Sequence, residues 1–325
     1  MECGGLPPLS APGKGTFAAG QQALEHQSGS KLPHSKSLAC VFYDPFHVGK
    51  LDESKFAVPH GYEGRSRGYE RVSLIDRGIG SVHMGVGVCR LAPGGDVESC
   101  VHANEKGIYL FEGEIELKRG GEAFKLAQDD YALIPTGVAH AYRNAGAKPA
   151  RWFDMQAPQP KPPGQWQDTF FVADECMWPQ HASTRQQANA AQTGHFEPRS
   201  PIINPNAGVS GLRVFRFMEK EFGAQCFYMM RGELAPGGVR GYHDHPVEES
   251  YLALSGEAIM SIEGGDFHLK AGDFVWTGVG ACHAFRHVGS EPFRWIETQA
   301  PQFPAHQGTR NYNMWEKFKT AGGTR

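Results

Sequence analysis

The feature that most constrains this chain is an internal repeat. Sliding the 325-residue sequence against itself by 143 positions aligns 91–160 with 234–303 without a gap, and 25 of the 70 paired positions are identical. Leu91–Gly95 meets Leu234–Gly238, both reading Leu-Ala-Pro-Gly-Gly. Gly113-Glu114 meets Gly256-Glu257, His140-Ala141 meets His283-Ala284, and Arg151-Trp152 meets Arg294-Trp295. A duplication of this length implies two similar units of about 100 residues, each large enough for its own core.

Within each unit the pattern is short and alternating. Strand candidates fall at 71–76, 81–91, 107–117, 122–126 and 131–134, separated by Asp-Arg-Gly, Pro-Gly-Gly, Arg-Gly-Gly and Pro-Thr-Gly turns. With 41 Gly and 22 Pro and few helical patterns, the expectation is an all-β, turn-rich fold. Residues 1–65 read as a tail and arm, with the apolar run Leu38–Tyr43 as the arm and loop composition over 47–70. The first unit spans 66–160, and a Pro-rich linker with a candidate helix at Ser183–Gln192 spans 161–205. The second unit spans 206–303 and a tail 304–325.

Metal-ligand chemistry concentrates in the second unit. His243 and His245 are two apart, so on a strand both imidazoles share a face. Glu249 follows past a short bend, Tyr251 shares its face, and His283 arrives from a second strand pair. Three neutral imidazoles and a carboxylate suit one divalent ion, Fe(II) or Mn(II) foremost and Ni(II) or Zn(II) as alternatives, with open positions for water or substrate. Glu248 reads as solvent-facing, and Tyr242, Asp244 and Cys282 as facing away from the ligands. Arg240 and Arg286 are candidate substrate-carboxylate ligands. His287 is a candidate proton carrier behind His283. Phe215, Phe217, Phe227, Phe274 and Phe285 are core residues that could also wall a dry pocket.

These spacings resemble the two signature motifs of the cupin superfamily. Gly237, His243, His245, Glu249 and Gly256 match every element of the first motif. Gly272, Gly278-Val279-Gly280, His283 and His287 match the second, with Gly278 for the usual Pro and His287 for the usual Asn. With the repeat, the resemblance implies a bicupin: two tandem double-sheet jelly-roll barrels. The first barrel places Cys100, His102, Lys106 and His140 where the second has His243, His245, Glu249 and His283. An ammonium at the carboxylate position repels a cation, so one metal per chain, in the second barrel, is expected. A Cys/His/His trio that keeps Zn(II) is the alternative.

The resemblance implies an enzyme acting on a small molecule. The three-His-one-Glu set resembles quercetinase-like and acireductone dioxygenases and oxalate-degrading cupins, which favours a dioxygenase. The layout resembles (S)-ureidoglycine aminohydrolase, a Mn-dependent bicupin, although that family carries a different ligand set. His243, His245, Glu249 and Tyr251 resemble the DMSP-lyase cupins, in which the Tyr is a base. A non-catalytic binding bicupin is the remaining class, and bicupins are often homo-oligomers through swapped N-terminal arms.

Composition narrows partners. A formal charge of -3 argues against nucleic acid or an anionic membrane as the main partner. No apolar run reaches spanning length. Seven cysteines at 3, 40, 89, 100, 176, 226 and 282 form no Cys-x-x-Cys pair and read as free thiols in a reducing cytoplasm. The N-terminus lacks a basic-plus-apolar leader pattern.

Overall fold

The computed structural model describes residues 45–302, apart from 163, 165–166, 174–177, 189 and 198–207, and the backbone of Arg310–Asn311. The apolar run Leu38–Tyr43, the cysteines at 3, 40 and 176, and most of the tail lie outside the described residues.

Each repeat is built around one long strand, Gly85–His102 in the first and Tyr228–Asp244 in the second. Residues 228–234 pair with Phe293–Ala300, whereas 239–243 pair with His283–Val288. The strand therefore passes from one sheet of the sandwich to the facing one. The first repeat does the same, with 85–91 on Ala150–Ala157 and 96–100 on His140–Arg143. The crossing falls at the Pro-Gly-Gly step. Gly237 has φ 74°. At Gly238 a Cβ would lie 2.7 Å from the Ala235 carbonyl oxygen, so neither position suits a side chain.

Alternation sets the inside of each barrel. Along Glu257–Ile262, Ala258, Met260 and Ile262 are buried while Glu257, Ile259 and Ser261 are half-buried on the other face. One apolar cluster fills the first barrel around Leu91, Ile108, Leu117 and Trp152. Another fills the second around Leu234, Met260, Phe285 and Trp295. A third cluster is shared, joining Val72, Leu74, Phe153 and Met155 of the first repeat to Phe217, Phe227, Leu252 and Trp276 of the second.

The shared core explains two departures from the sequence reading. Glu248–Ser255 is buried on both faces, because its outer face meets the other barrel. Glu248 is therefore not solvent-facing. It accepts hydrogen bonds from Ser81 Oγ at 2.7 Å, the Val82 amide at 2.8 Å and Trp276 Nε1 at 3.3 Å. Its counterpart Glu105 accepts from the amides of Gln225 and Cys226 at 3.1 and 2.8 Å, so the two repeats exchange the same contact in both directions.

Three segments read as loop, helix or linker carry strands. Phe46–Lys50 pairs antiparallel with Asp273–Thr277, so the beginning of the described chain joins the sheet of the second repeat. Within 161–205, Thr169–Phe171 and Thr193–His195 extend the sheet of the first repeat. The candidate helix at Ser183–Gln192 is instead a short parallel strand, Ser183–Thr184, followed by a single turn closed by the Ala188 amide on the Thr184 carbonyl. Arg185 reaches back 2.7 Å to Asp130, and Ala188 and Ala190 pack on the core of the first barrel. Among the described residues no helix is long and apolar enough to cross a membrane.

Candidate metal centre

The second half of the long strand delivers His243 and, one residue past its end, His245, and the strand it pairs with delivers His283 opposite His243. All three rings are buried, and their donor atoms lie within 4.8 Å of one another. His243 Nδ1 donates to the Gly241 carbonyl at 2.9 Å, and His283 Nδ1 donates to the Ala281 carbonyl at 2.9 Å. These bonds fix the tautomers and turn both Nε2 lone pairs inward. Burial, reinforced by the neighbouring rings and Arg240, holds His243 well below the usual imidazole range. Burial also lowers His283, so both are neutral donors at neutral pH.

Glu249 completes the set. Its Oε1 lies 3.1 Å from His245 Nε2 and its Oε2 3.3 Å from His283 Nε2. Tyr251 donates to Oε2 at 2.9 Å, Gln299 Nε2 donates to Oε1 at 2.7 Å, and Thr277 Oγ1 donates to Oε2 at 3.3 Å. Tyr251 also places its hydroxyl 3.0 Å from His283 Nε2. Burial drives the Tyr251 phenol well above its ordinary range, with Glu249 and Glu297 adding to the shift. Three convergent imidazole nitrogens and one carboxylate, with His243, His283 and Glu249 oriented by outer partners, fit a borderline divalent transition ion.

A second carboxylate, which sequence reasoning missed, lies behind the first. Glu297 accepts from Trp295 Nε1 and from Gln299 Nε2, both at 3.0 Å, so one amide ties it to Glu249. Burial first, and Glu249 second, push it up to about 7. Burial likewise raises Glu249. The available signal was the repeat itself, which aligns Glu297 with Asp154, an acid in both halves.

The other candidates separate. Arg240 is buried, and Tyr251, Glu249 and Glu297 act on its guanidinium electrostatically. Arg286 does not join it. Strand alternation turns it outward, where it is exposed and pairs with Asp266 at 3.4 Å. His287 does not reach the ligands either. Its Nε2 donates to the Glu291 carbonyl at 2.7 Å and closes the loop beyond the strand. Asn144 performs the same task at the equivalent place, donating to the Lys148 carbonyl at 2.8 Å. Of the five phenylalanines only Phe285 lines this barrel's interior, stacked on Trp295 with centroids 5.6 Å apart and 5.3 Å from Tyr251. Phe217, Phe227 and Phe274 belong to the shared core, and Phe215 packs on Phe196.

The first barrel has a different lining. Cys100 Sγ lies 3.7 Å from His102 Nε2 and 3.9 Å from His140 Nε2. Burial pushes the Cys100 thiol up to about 11, and burial with Lys106 behind it drives His140 down to about 3. Lys106 is not turned out to solvent. It is buried with its Nζ 3.3 Å from Asp154 Oδ1.

Fold and centre together define a two-barrel cupin. The Cupin domain family model matches residues 87–156 and 230–298, and the chain belongs to the cupin superfamily. It is 31% identical over 117 residues to tetracenomycin polyketide synthase protein TcmJ of Streptomyces glaucescens, covering 76% of that protein and 35% of this chain. It is 30% identical over 99 residues to an oxalate-binding protein of Thermotoga maritima, covering 80% of that protein and 29% of this chain. Among solved structures, oxalate decarboxylase of Bacillus subtilis superposes with TM-score 0.62 at 16% identity, over 86% of this chain and 84% of the other. Salicylate 1,2-dioxygenase of Pseudoaminobacter salicylatoxidans superposes with TM-score 0.60 at 15% identity, over 75% and 76%. At such identities the structural likeness speaks for the fold.

Proposed function

We propose that the second barrel is the active site of a metal-dependent enzyme, foremost a dioxygenase, acting on a small oxygenated or carboxylate substrate. The observation that carries this reading is the convergence of His243, His245, His283 and Glu249 beside a buried guanidinium. One divalent ion, Fe(II) or Mn(II), would be held by those four side chains. When bound it supplies Lewis-acid polarisation and, if redox-active, an electron to the reaction. Arg240 binds and orients a substrate carboxylate. Phe285 and Trp295 form a dry wall beside it. Tyr251 holds its proton between Glu249 and His283 and keeps the carboxylate aimed inward. The superposition on a salicylate dioxygenase and the match to an oxalate-binding cupin support a carboxylate substrate.

A second reading, a Mn(II)-dependent hydrolase or lyase, is favoured by the same Tyr251 hydroxyl, which is placed to move a proton at a metal ligand. Elemental analysis and oxygen uptake with small hydroxy-, keto- and aromatic acids separate the two. The dioxygenase reading expects one tightly held ion per chain, its loss in His243→Ala and Glu249→Gln, and oxygen consumed in step with substrate. Turnover unchanged under strict anaerobiosis would replace it with the hydrolase or lyase. A homo-oligomer forms part of this reading, and analytical ultracentrifugation checks it.

A further inference from the structure

The first barrel carries a buried charge imbalance opposite in sign to that of the second. Asp154 is wholly buried and receives Arg71 Nε at 2.8 Å, with Lys106 Nζ at 3.3 Å on its other oxygen. Two cations thus share one carboxylate, and the side chain of Lys106 is only 2% exposed and that of Arg71 16%. A net positive charge inside a barrel is costly unless something answers it.

Arg71 shows where the answer fits. Its Nη2 is buried and has no hydrogen-bond partner. Gly87 makes room for it, since a Cβ there would lie 2.6 Å from Arg71 Cζ and 2.7 Å from Nη2. The second repeat has neither part: strand register puts Val214 at the place of Arg71, and the repeat offset puts Met230 at the place of Gly87. The guanidinium and its niche therefore occur together, in the barrel that has lysine where the other has its ligand glutamate. Arg71 lines a cleft of about 740 Å³ with Tyr62, Tyr69, His102, Gln156 and Thr169. The rings of Tyr62 and Tyr69 lie 5.4 Å apart and give this cleft an aromatic wall. The lining also carries Asp76, Arg77, Lys161 and Asp168, the last two paired with each other at 2.8 Å, and a volume of several hundred Å³ suits a small organic ligand.

We propose that the first barrel binds an organic carboxylate without a metal, anchored by Arg71 and backed by Lys106, with its apolar body against Tyr62 and Tyr69. Nη2 is sealed against Gly87, so the anchor is the part of the guanidinium that lines the cleft, where a side chain 16% exposed can offer a carboxylate a charge-assisted hydrogen bond. The barrel is then a ligand site in its own right, whatever reaction the other one performs.

The test is calorimetric titration of benzoate into the full-length protein, metal-loaded and after chelator dialysis, with acetate as the small control. The expected result is one benzoate per chain after chelation, with the same Arg71-dependent site retained in the metal-loaded form; any further benzoate taken up only with metal belongs to the second barrel. Arg71→Met should weaken it at least tenfold with metal content and far-ultraviolet circular dichroism unchanged, and Arg71→Lys should recover part of the loss. Should Arg71→Met fail to fold, Tyr62→Leu serves instead: it should weaken benzoate and leave acetate unaffected. No binding at millimolar benzoate overturns the proposal. So does binding that disappears on chelation and ignores Arg71→Met, or a second metal ion that Cys100→Ser removes.

Discussion

Burial and the neighbouring Glu249 push the Glu297 carboxyl up to about 7, and this has a sign that can be measured. In the unfolded chain a glutamate titrates near ~4.3. Between those values the folded protein keeps a proton that the unfolded chain has released. The associated stability is fully present below the unfolded value and is lost as pH rises toward the folded one. At ~1.36 kcal/mol per pH unit the loss is about 4 kcal/mol. Metal-free protein should therefore melt at progressively lower temperature from pH 4.5 to 7.5, and Glu297→Gln should flatten that slope; calorimetry across the window reads both. Tyr251→Phe removes a buried donor to the Glu249 carboxylate, which costs about 1.5–3 kcal/mol for a charged acceptor. The dioxygenase reading expects that variant to keep its ion and lose less than tenfold in kcat, whereas general acid–base work by Tyr251 would give a loss of about 10²–10⁴. Spacing pointed to the residues on a motif: His243, Glu249 and His283 lie on strands, and His245 lies one residue past the end of one. His287 misled because a four-residue offset on a strand conserves the face but moves the side chain two pairs along, to the barrel's end.

At the scale of the element, the decisive piece is the strand that changes sheets. Its register delivers His243 and His245 only if the Pro-Gly-Gly step bends as it does. Gly237 tolerates a Cβ in space but not in backbone conformation, so Gly237→Ala should cost about 1–2 kcal/mol. At Gly238 the new methyl would strike both the Ala235 carbonyl and the Leu234 side chain. Gly238→Ala should destabilise more than Gly237→Ala and should also weaken metal binding, because the displaced segment carries the ligands. Thermal melts and metal titrations of the two variants provide the comparison. Turn chemistry made this element legible, since the same Leu-Ala-Pro-Gly-Gly stands in both repeats. The strand Glu248–Ser255 was only half legible. Its Glu249, Tyr251 and Ala253 face reads as an interior, but nothing local to it says that Glu248, Ser250 and Leu252 face another barrel. Short strands such as Phe46–Lys50 and Thr193–His195 were not legible at all, because they are strands by virtue of a partner far away in sequence.

For the whole molecule, the shared core binds the two barrels' fates together. Phe217, Leu252 and Trp276 are buried against residues of the first repeat, so neither repeat is fully covered without the other. We expect one cooperative unfolding transition in calorimetry rather than two. Glu248→Ala, which strands the Val82 amide and Trp276 Nε1 in that interface, should cost about 3 kcal/mol or more and lower the midpoint of both halves together. The contact that Glu248 makes toward residues 81–83 is the one Glu105 makes toward 225–226. Such reciprocity, in which patch i meets patch j and j meets i, is the signature of an isologous homodimer. The chain thus has the geometry of a symmetric dimer whose two subunits have been joined end to end. Fusion releases what symmetry forbids: in a homodimer every substitution appears twice, so a lysine at one ligand position would abolish both centres at once. Here the halves were free to diverge, one carrying Glu249 among three histidines and the other Lys106 and Arg71, while the interface stayed symmetric because each half still needs the other.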